Sequence, residues 1–209
     1  MPGTVVVDSG VGNLGSVMNM LRRIGAEASV GSDPAMVREA GRVILPGVGS
    51  FDAAMSRIDG IPGLRDALEH AAHVRRVPFL GICLGMQVLL EGSDEGSSRG
   101  LGWIPGRVVA FDRSRLERGE KVPHMGWNAV AAAADSPLFP ASGQARFYFV
   151  HSFHAMPADP DHADAWAVHG YRFACAVRSG NVCGVQFHPE KSNRHGMALL
   201  RAFVEWEGR

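Results

Sequence analysis

Pro78-Phe79-Leu80-Gly81-Ile82-Cys83-Leu84-Gly85-Met86-Gln87-Val88-Leu89-Leu90 is the stretch on which the reading of this chain turns. Val77, Phe79, Leu80 and Ile82 have the apolar character of a buried strand. Leu84 to Leu90 are helix formers with an apolar face. Between them lies Gly-Ile-Cys-Leu-Gly, a one-residue corner of the nucleophile-elbow type with cysteine in place of serine. Such a corner leaves little room two positions either side of the nucleophile. Gly81 and Gly85, which carry no Cβ, stand at those positions. The corner presents Cys83 at the top of a sheet and at a helix N-terminus, where the dipole and free N–H groups favour an anionic sulfur. The N–H of Leu84 is left pointing where an oxyanion would form. A lone cysteine in an apolar strand is more often packing, so the corner alone does not make a nucleophile.

Gly184-Val185-Gln186-Phe187-His188-Pro189-Glu190 supplies the missing partner. Asn181–Phe187 reads as a strand, and Pro189 biases His188 towards an extended conformation. In extended chain, residues i and i+2 project to the same side. Glu190 is therefore placed to orient the His188 imidazole. A base with an orienting carboxylate is what a thiol nucleophile requires. Beside Cys83, this reading outweighs that of a solvated His-Pro-Glu turn.

The 209 residues, 46% of them hydrophobic, fit a single domain spanning 1–209 with a sizeable core. Lys plus Arg and Asp plus Glu both number 21, so the formal net charge is zero. That balance gives no electrostatic footing for nucleic acid or an anionic membrane. No apolar run reaches transmembrane length, and Met1-Pro2-Gly3-Thr4 lacks signal-peptide features. Cys83, Cys175 and Cys183 are scattered and odd in number, which fits a reducing cytoplasm better than a disulfide framework. The nine histidines show no zinc-ligand spacing, so no metal is expected.

Taken in order, Thr4–Asp8 reads as a strand, and Leu14, Val17, Met18, Leu21 and Ile24 recur at helical spacing up to Gly25. The joining loop Gly10-Val11-Gly12-Asn13-Leu14-Gly15 matches G-x-G-x-x-G, with Asp33 at the distance of a ribose-binding acid. This is the competing signal, a nucleotide-binding or regulatory domain, and the pattern alone is weak. Asp33-Pro34 also reads as an N-cap followed by proline at the first helical position. Arg42–Leu45 is a strand, and the glycines of Pro46-Gly47-Val48-Gly49 let backbone N–H groups approach a ligand. Helices are predicted over Phe51–Ile58 and Pro62–Val74. The alternation so far predicts a largely parallel α/β sheet with helices on both faces. After a Gly/Ser-rich surface loop at Gly92–Gly102, strands crowd together at Arg107–Ala110, Trp127–Ala131, Arg146–Val150, Ala165–His169, Phe173–Arg178 and Asn181–Phe187. They predict added mixed and antiparallel strands. Ala155–Asp164 reads as an exposed loop, and Gly196–Trp206 as a closing amphipathic helix.

Three motifs in this order, Pro46–Gly49, Gly81–Gln87 and Gly184–Glu190, resemble those of the class I, Cys-His-Glu glutamine amidotransferases. Within that family the chain is most similar to the glutaminase subunits of imidazole glycerol phosphate synthase. That closer likeness rests on Asp8 with Gly10–Leu14, Lys121–Asn128, Tyr148–Ser152 and Lys191-Ser192, and it runs from Val5 to Trp206. Ser9 and Phe153 depart from the aromatic and tyrosine expected there. The resemblance reassigns the G-x-G-x-x-G match as the first loop of such a subunit and implies a three-layer α/β fold. It implies Cys83, His188 and Glu190 as catalytic residues, with backbone N–H groups of Leu84 and Val48 as the oxyanion hole. Glutamine would bind near Gly47, Gly49, Gln87, His151 and Ser152. Asn13, Trp127 and Lys191 would face a partner, a (β/α)₈-barrel cyclase subunit forming a heterodimer. No metal or organic cofactor is implied. A glutaminase subunit of another synthase and a stand-alone γ-glutamyl hydrolase are the alternatives; the Lys121–Asn128 motif speaks against both.

Overall fold

A computed structural model describes residues 3–10, 12–139 and 145–208; Met1, Pro2 and Val11 of the first loop lie outside the described residues. The chain opens with β1 (Thr4–Val7), α1 (Leu14–Arg23), β2 (Ala28–Gly31), α2 (Pro34–Glu39) and β3 (Arg42–Gly47). Next come α3 (Phe51–Gly60), α4 (Leu64–Glu69) and β4 (Phe79–Cys83), followed by α5 (Leu84–Gln87). The second half holds β5 (Gly106–Ala110), β6 (His124–Ala132), β7 (Ala145–His151), β8 (Phe153–Pro157), β9 (Ala163–His169), β10 (Tyr171–Ser179) and β11 (Val182–Val185). Helix α6 (Asn193–Glu205) follows.

The strands join in one mixed sheet, ordered β2-β1-β3-β4-β11-β10-β9-β6-β7, with β8 pairing β10 and β5 off that path. Pairings from β2 to β11 along the path are parallel. Beyond β11 they are antiparallel. Apart from the edge strand β2, the parallel strands are short and almost continuously apolar because both faces are covered. Val5 and Val7 pack with Val37, Phe51, Ile58 and Leu68 from α2, α3 and α4. Val6, between them, packs on the opposite face with Leu21, Leu200 and Phe203 from α1 and α6. The two-residue period of a strand thus builds both core layers from one segment.

Asp33 accepts the N–H of Ala35 at 2.9 Å and caps α2, which settles its role as a cap, not a ribose-binding acid. Several expectations are corrected. Strand β2 went unforeseen, since Ala28-Ser29-Val30-Gly31 is a half-exposed edge with little apolar signal. The supposed loop Ala155–Asp164 is half strand: Ala155–Pro157 complete β8, Pro160–His162 form a 3₁₀ turn, and Ala163 and Asp164, both buried, begin β9. Asp164 goes inside because Arg178 Nε bonds it at 2.8 Å. The second predicted helix, Pro62–Val74, starts at Leu64 and changes to one π-helical turn over His70–Val74. The helix after Cys83 keeps regular α geometry only to Gln87.

Candidate active site

Cys83 ends β4 at φ 55° and ψ −110°. A non-glycine residue on that side of φ space costs about 1–3 kcal/mol, and surrounding structure must enforce it. Strand β4 is held on one side by β3, with Gly47 opposite Cys83, and on the other by β11. Behind the corner the chain passes so close to itself that a Cβ on Gly85 would overlap the Leu45 carbonyl, and one on Gly81 the Gly85 carbonyl. The elbow is thus wedged into β3, and Cys83 stands at the carboxyl ends of the parallel strands, where open α/β sheets place their ligand crevice.

His188 reaches the same rim two residues after Gln186, just beyond β11. Its N–H donates to the Tyr148 carbonyl at 2.9 Å, tying it to β7. Ser192, fully buried, donates its hydroxyl to the His188 carbonyl at 2.6 Å and accepts the Tyr148 N–H at 3.0 Å. His188 is extended, at φ −103° and ψ 97°, but Pro189–Lys191 form a 3₁₀ turn. Glu190 therefore reaches the imidazole through a turn and not through extended spacing. Its Oε1 lies 2.8 Å from His188 Nδ1, and the two side chains are 2% and 3% exposed. Nε2 is left for the sulfur. Burial alone would lower the His188 pKa; hydrogen bonds and charge attraction to Cys83 and Glu190 outweigh it and push the value up to about 9. The arrangement favours an imidazolium facing sulfur. Cys175 and Cys183 differ: both are wholly buried, and burial pushes both thiols well above their ordinary pKa.

A cleft of about 380 Å³ opens over Cys83. Of the residues read from the sequence, Val48, Gly49, Leu84, Gln87, His151, Ser152 and His188 line it. Gly49 sits at φ 105°, which suits glycine in a loop presenting its backbone. Gly47 does not line the cleft; it is buried, and a Cβ there would press on Leu84 and Gly85 at 3.0 Å. Asn13 precedes α1 on the same rim, in a loop whose Gly12 abuts Pro46. Trp127 and Met125 project from β6 to solvent, 43% and 62% exposed. Lys191 is exposed, with Nζ 5.6 Å from the centre of the Tyr148 ring.

Three residues that line or touch the site carried no readable signal of that role or only a faint one. Glu95 borders the cleft and accepts the Phe51 N–H at the start of α3 at 2.8 Å; nothing in its loop sequence signals this. Pro123 also borders the cleft. Gln186 is fully buried with Nε2 3.7 Å from Cys83 Sγ. A glutamine inside the apolar run Val182–Phe187 is costly to bury, and that cost was its signal. Among the described residues no group of three or more His, Cys, Asp or Glu side chains is arranged to hold a metal ion. No described helix is long and apolar enough to cross a membrane.

The family model described as glutamine amidotransferase class-I matches residues 5–206. Curated relatives include imidazole glycerol phosphate synthase subunit HisH 2 of Pseudomonas aeruginosa, 46% identical over 96% of this chain and 98% of that protein. The HisH subunits of Bdellovibrio bacteriovorus and Halobacterium salinarum are each also 46% identical, over 96% and 97% of this chain and 98% and 92% of theirs. Among solved structures, a glutamine amidotransferase superposes with a TM-score of 0.75 over 97% of this chain and 98% of its own, at 19% identity. PurLQS from Thermotoga maritima gives 0.74 over 97% of each chain at 20% identity. These two speak to the fold.

Proposed function

Because this chain belongs to the class-I glutamine amidotransferase family, we propose that it is the glutaminase subunit of an imidazole glycerol phosphate synthase. The observation that carries the chemistry is Cys83 on its forced corner, facing a buried imidazole oriented by Glu190. The cysteine sulfur attacks the side-chain amide carbon of glutamine. The oxyanion that forms is held by backbone N–H groups of Leu84 and Val48, both on the cleft wall. His188 gives a proton to the departing nitrogen, ammonia leaves, and a γ-glutamyl thioester remains. Water then attacks, His188 takes its proton, the C–S bond breaks and glutamate is released. Both N–H groups of the Gln87 amide are committed within the protein, to Phe153 and Gln186. Gln87 therefore offers a ligand its oxygen, an acceptor suited to the α-ammonium of glutamine. The triad is Cys83, His188 and Glu190.

The names of the relatives describe a synthase subunit, and the sequence motifs imply a (β/α)₈-barrel cyclase as partner. The exposed Trp127 and Met125, with Asn13 and Lys191, are the residues we assign to that contact. Ammonia released in the cleft passes to the cyclase, which uses it to make imidazole glycerol phosphate. The test is synthesis by the reconstituted pair with glutamine or with ammonium salt. Cys83→Ala abolishes the glutamine-dependent reaction and spares the ammonia-dependent one. Loss of both with the complex intact would overturn the role of Cys83. Retention of both would overturn the thioester route.

A further inference from the structure

Gln186 makes a contact with the reacting sulfur that the mechanism above does not use. Its Nε2 lies 3.7 Å from Cys83 Sγ, and its Oε1 lies 3.0 Å from Gln87 Nε2. Amide oxygen and nitrogen are assigned from their surroundings, and here the surroundings are decisive. Gln87 Nε2 also meets the Phe153 carbonyl at 3.3 Å. A carbonyl only accepts, so Gln87 must turn its NH₂ that way. The same NH₂ donates to Gln186, which must answer with its oxygen. Gln186 is left with its own NH₂ towards the sulfur. Turning Gln87 over sets its oxygen against two other acceptors, and turning Gln186 over sets two NH₂ donors face to face.

The Phe153 carbonyl is itself fixed from the other side. His151 Nδ1 lies 2.8 Å from it, so His151 carries its proton there and offers a lone pair at Nε2. His124 Nδ1, at 2.9 Å, supplies the matching N–H. His124 Nε2 then accepts from Asn128 Nδ2 at 3.1 Å. The Asn128 amide is set by donating to the Val168 carbonyl at 2.7 Å and accepting the Ala129 N–H at 2.8 Å. The series runs from β6 to the nucleophile, and backbone groups decide the direction of every bond in it. A second proton on His151 would meet the N–H of His124 head on. Burial holds both rings neutral, pushing His124 down to about 4 and His151 well below its ordinary value.

We propose that Gln186 is a catalytic residue that donates an N–H to the Cys83 sulfur, and that His124 and His151 are positioning residues that keep that donor aimed. The inference rests on the reading of Cys83 as the nucleophile. Its effect is greatest when the thioester breaks: water oxygen bonds to the acyl carbon, the C–S electron pair returns to sulfur, and a donor already in place receives the charge. His188 is the titratable group facing the sulfur; Gln186 adds a neutral donor that does not titrate.

The test is the rate of Cys83 alkylation by iodoacetamide in the full chain from pH 5 to 9, read by peptide mass spectrometry. This readout needs no glutamine turnover. In Gln186→Leu the rate at neutral pH falls about tenfold, the size of a lost hydrogen bond to an ionised group, and the profile moves to higher pH. In Gln186→Glu, which keeps the shape and sets a carboxylate against the sulfur, it moves further. His124→Phe gives a smaller movement in the same direction. An unchanged profile in a folded Gln186→Leu overturns the donor. Should that variant fail to fold, an unchanged profile in Gln186→Glu overturns it instead. A shift in Gln186→Leu with none in His124→Phe overturns the positioning role of the histidines. Profiles that move as stated in a chain whose complex hydrolyses no glutamine uphold the donor and overturn the glutaminase reading.

Discussion

At the scale of single residues, the candidate site is a set of side chains held by their backbones more than by each other. Cys83 is forced out by its corner, and His188 is pinned by Tyr148 and Ser192. In the proposed mechanism Glu190 has one task, to stabilise an imidazolium at 2.8 Å. Glu190→Gln keeps an acceptor near Nδ1 but removes the charge, so turnover falls and the fold persists. Loss of the orienting carboxylate in a serine triad costs about 10⁴-fold. A thiolate–imidazolium pair depends on it less, and a fall of about 10²-fold is expected. Steady-state glutaminase kinetics beside a thermal melt check both halves; an unchanged kcat removes Glu190 from the mechanism. Cys83, His188 and Glu190 could all be singled out in the sequence, because motif spacing survives without coordinates. The 3₁₀ turn that joins the last two could not, since proline suits an extended residue and a first helical position equally. Gln186 is illegible for a different reason: its side-chain partners, Gln87 and Cys83, lie far away in the chain, and no local pattern encodes such a pairing.

At the scale of elements, the decisive contact is the wedge of α5 against β3. Gly85→Ala sets a methyl group into the Leu45 carbonyl, a backbone atom that cannot swing aside. The elbow must open or β3 must shift, at a cost of about 1–3 kcal/mol or more. We expect a lower melting temperature and slower Cys83 alkylation. Gly49→Ala is the control for crowding, as a Cβ there meets nothing within 4 Å, although its φ of 105° still carries backbone strain. A Gly85→Ala protein with unchanged melting and alkylation would refute the wedge. The parallel half of the sheet was legible because doubly covered strands are unbroken apolar runs between helical periods. The antiparallel half was legible in outline only. β8 hid in a stretch rich in proline and aspartate, where turn-forming composition masked Phe153–Pro157. β2 hid because an edge strand of four residues has too little pattern to read.

At the scale of the whole molecule, neutral buried histidines make folding sensitive to acid. His124, His151 and His154 all have pKa values lowered by burial, His124 to about 4. Unfolded, each would titrate near 6.5. Between those values the unfolded chain binds more protons than the folded one, so stability falls as pH drops from about 6.5 towards 4. Carboxylates with lowered pKa, such as Asp135 and Glu120, add the same trend only nearer their own range. The stretch from pH 6.5 to 5 therefore reports these three histidines; His188, raised to about 9 in the fold, is already charged there and opposes the trend only near 6.5. Denaturant melts should show a midpoint that falls steadily over that stretch, and His124→Phe should flatten the fall. A stability flat from pH 6.5 to 5 would contradict the assignment. The place of β11 in the sheet has a further consequence during synthesis on the ribosome. β4 is complete at Cys83, yet the strand that closes its open side comes only at residues 182–185. Until then the emerging chain carries the thiol without its base and an unpaired strand edge. On the proposed mechanism a nascent chain therefore consumes no glutamine, but its β4 edge is open to edge-to-edge association until β11 docks.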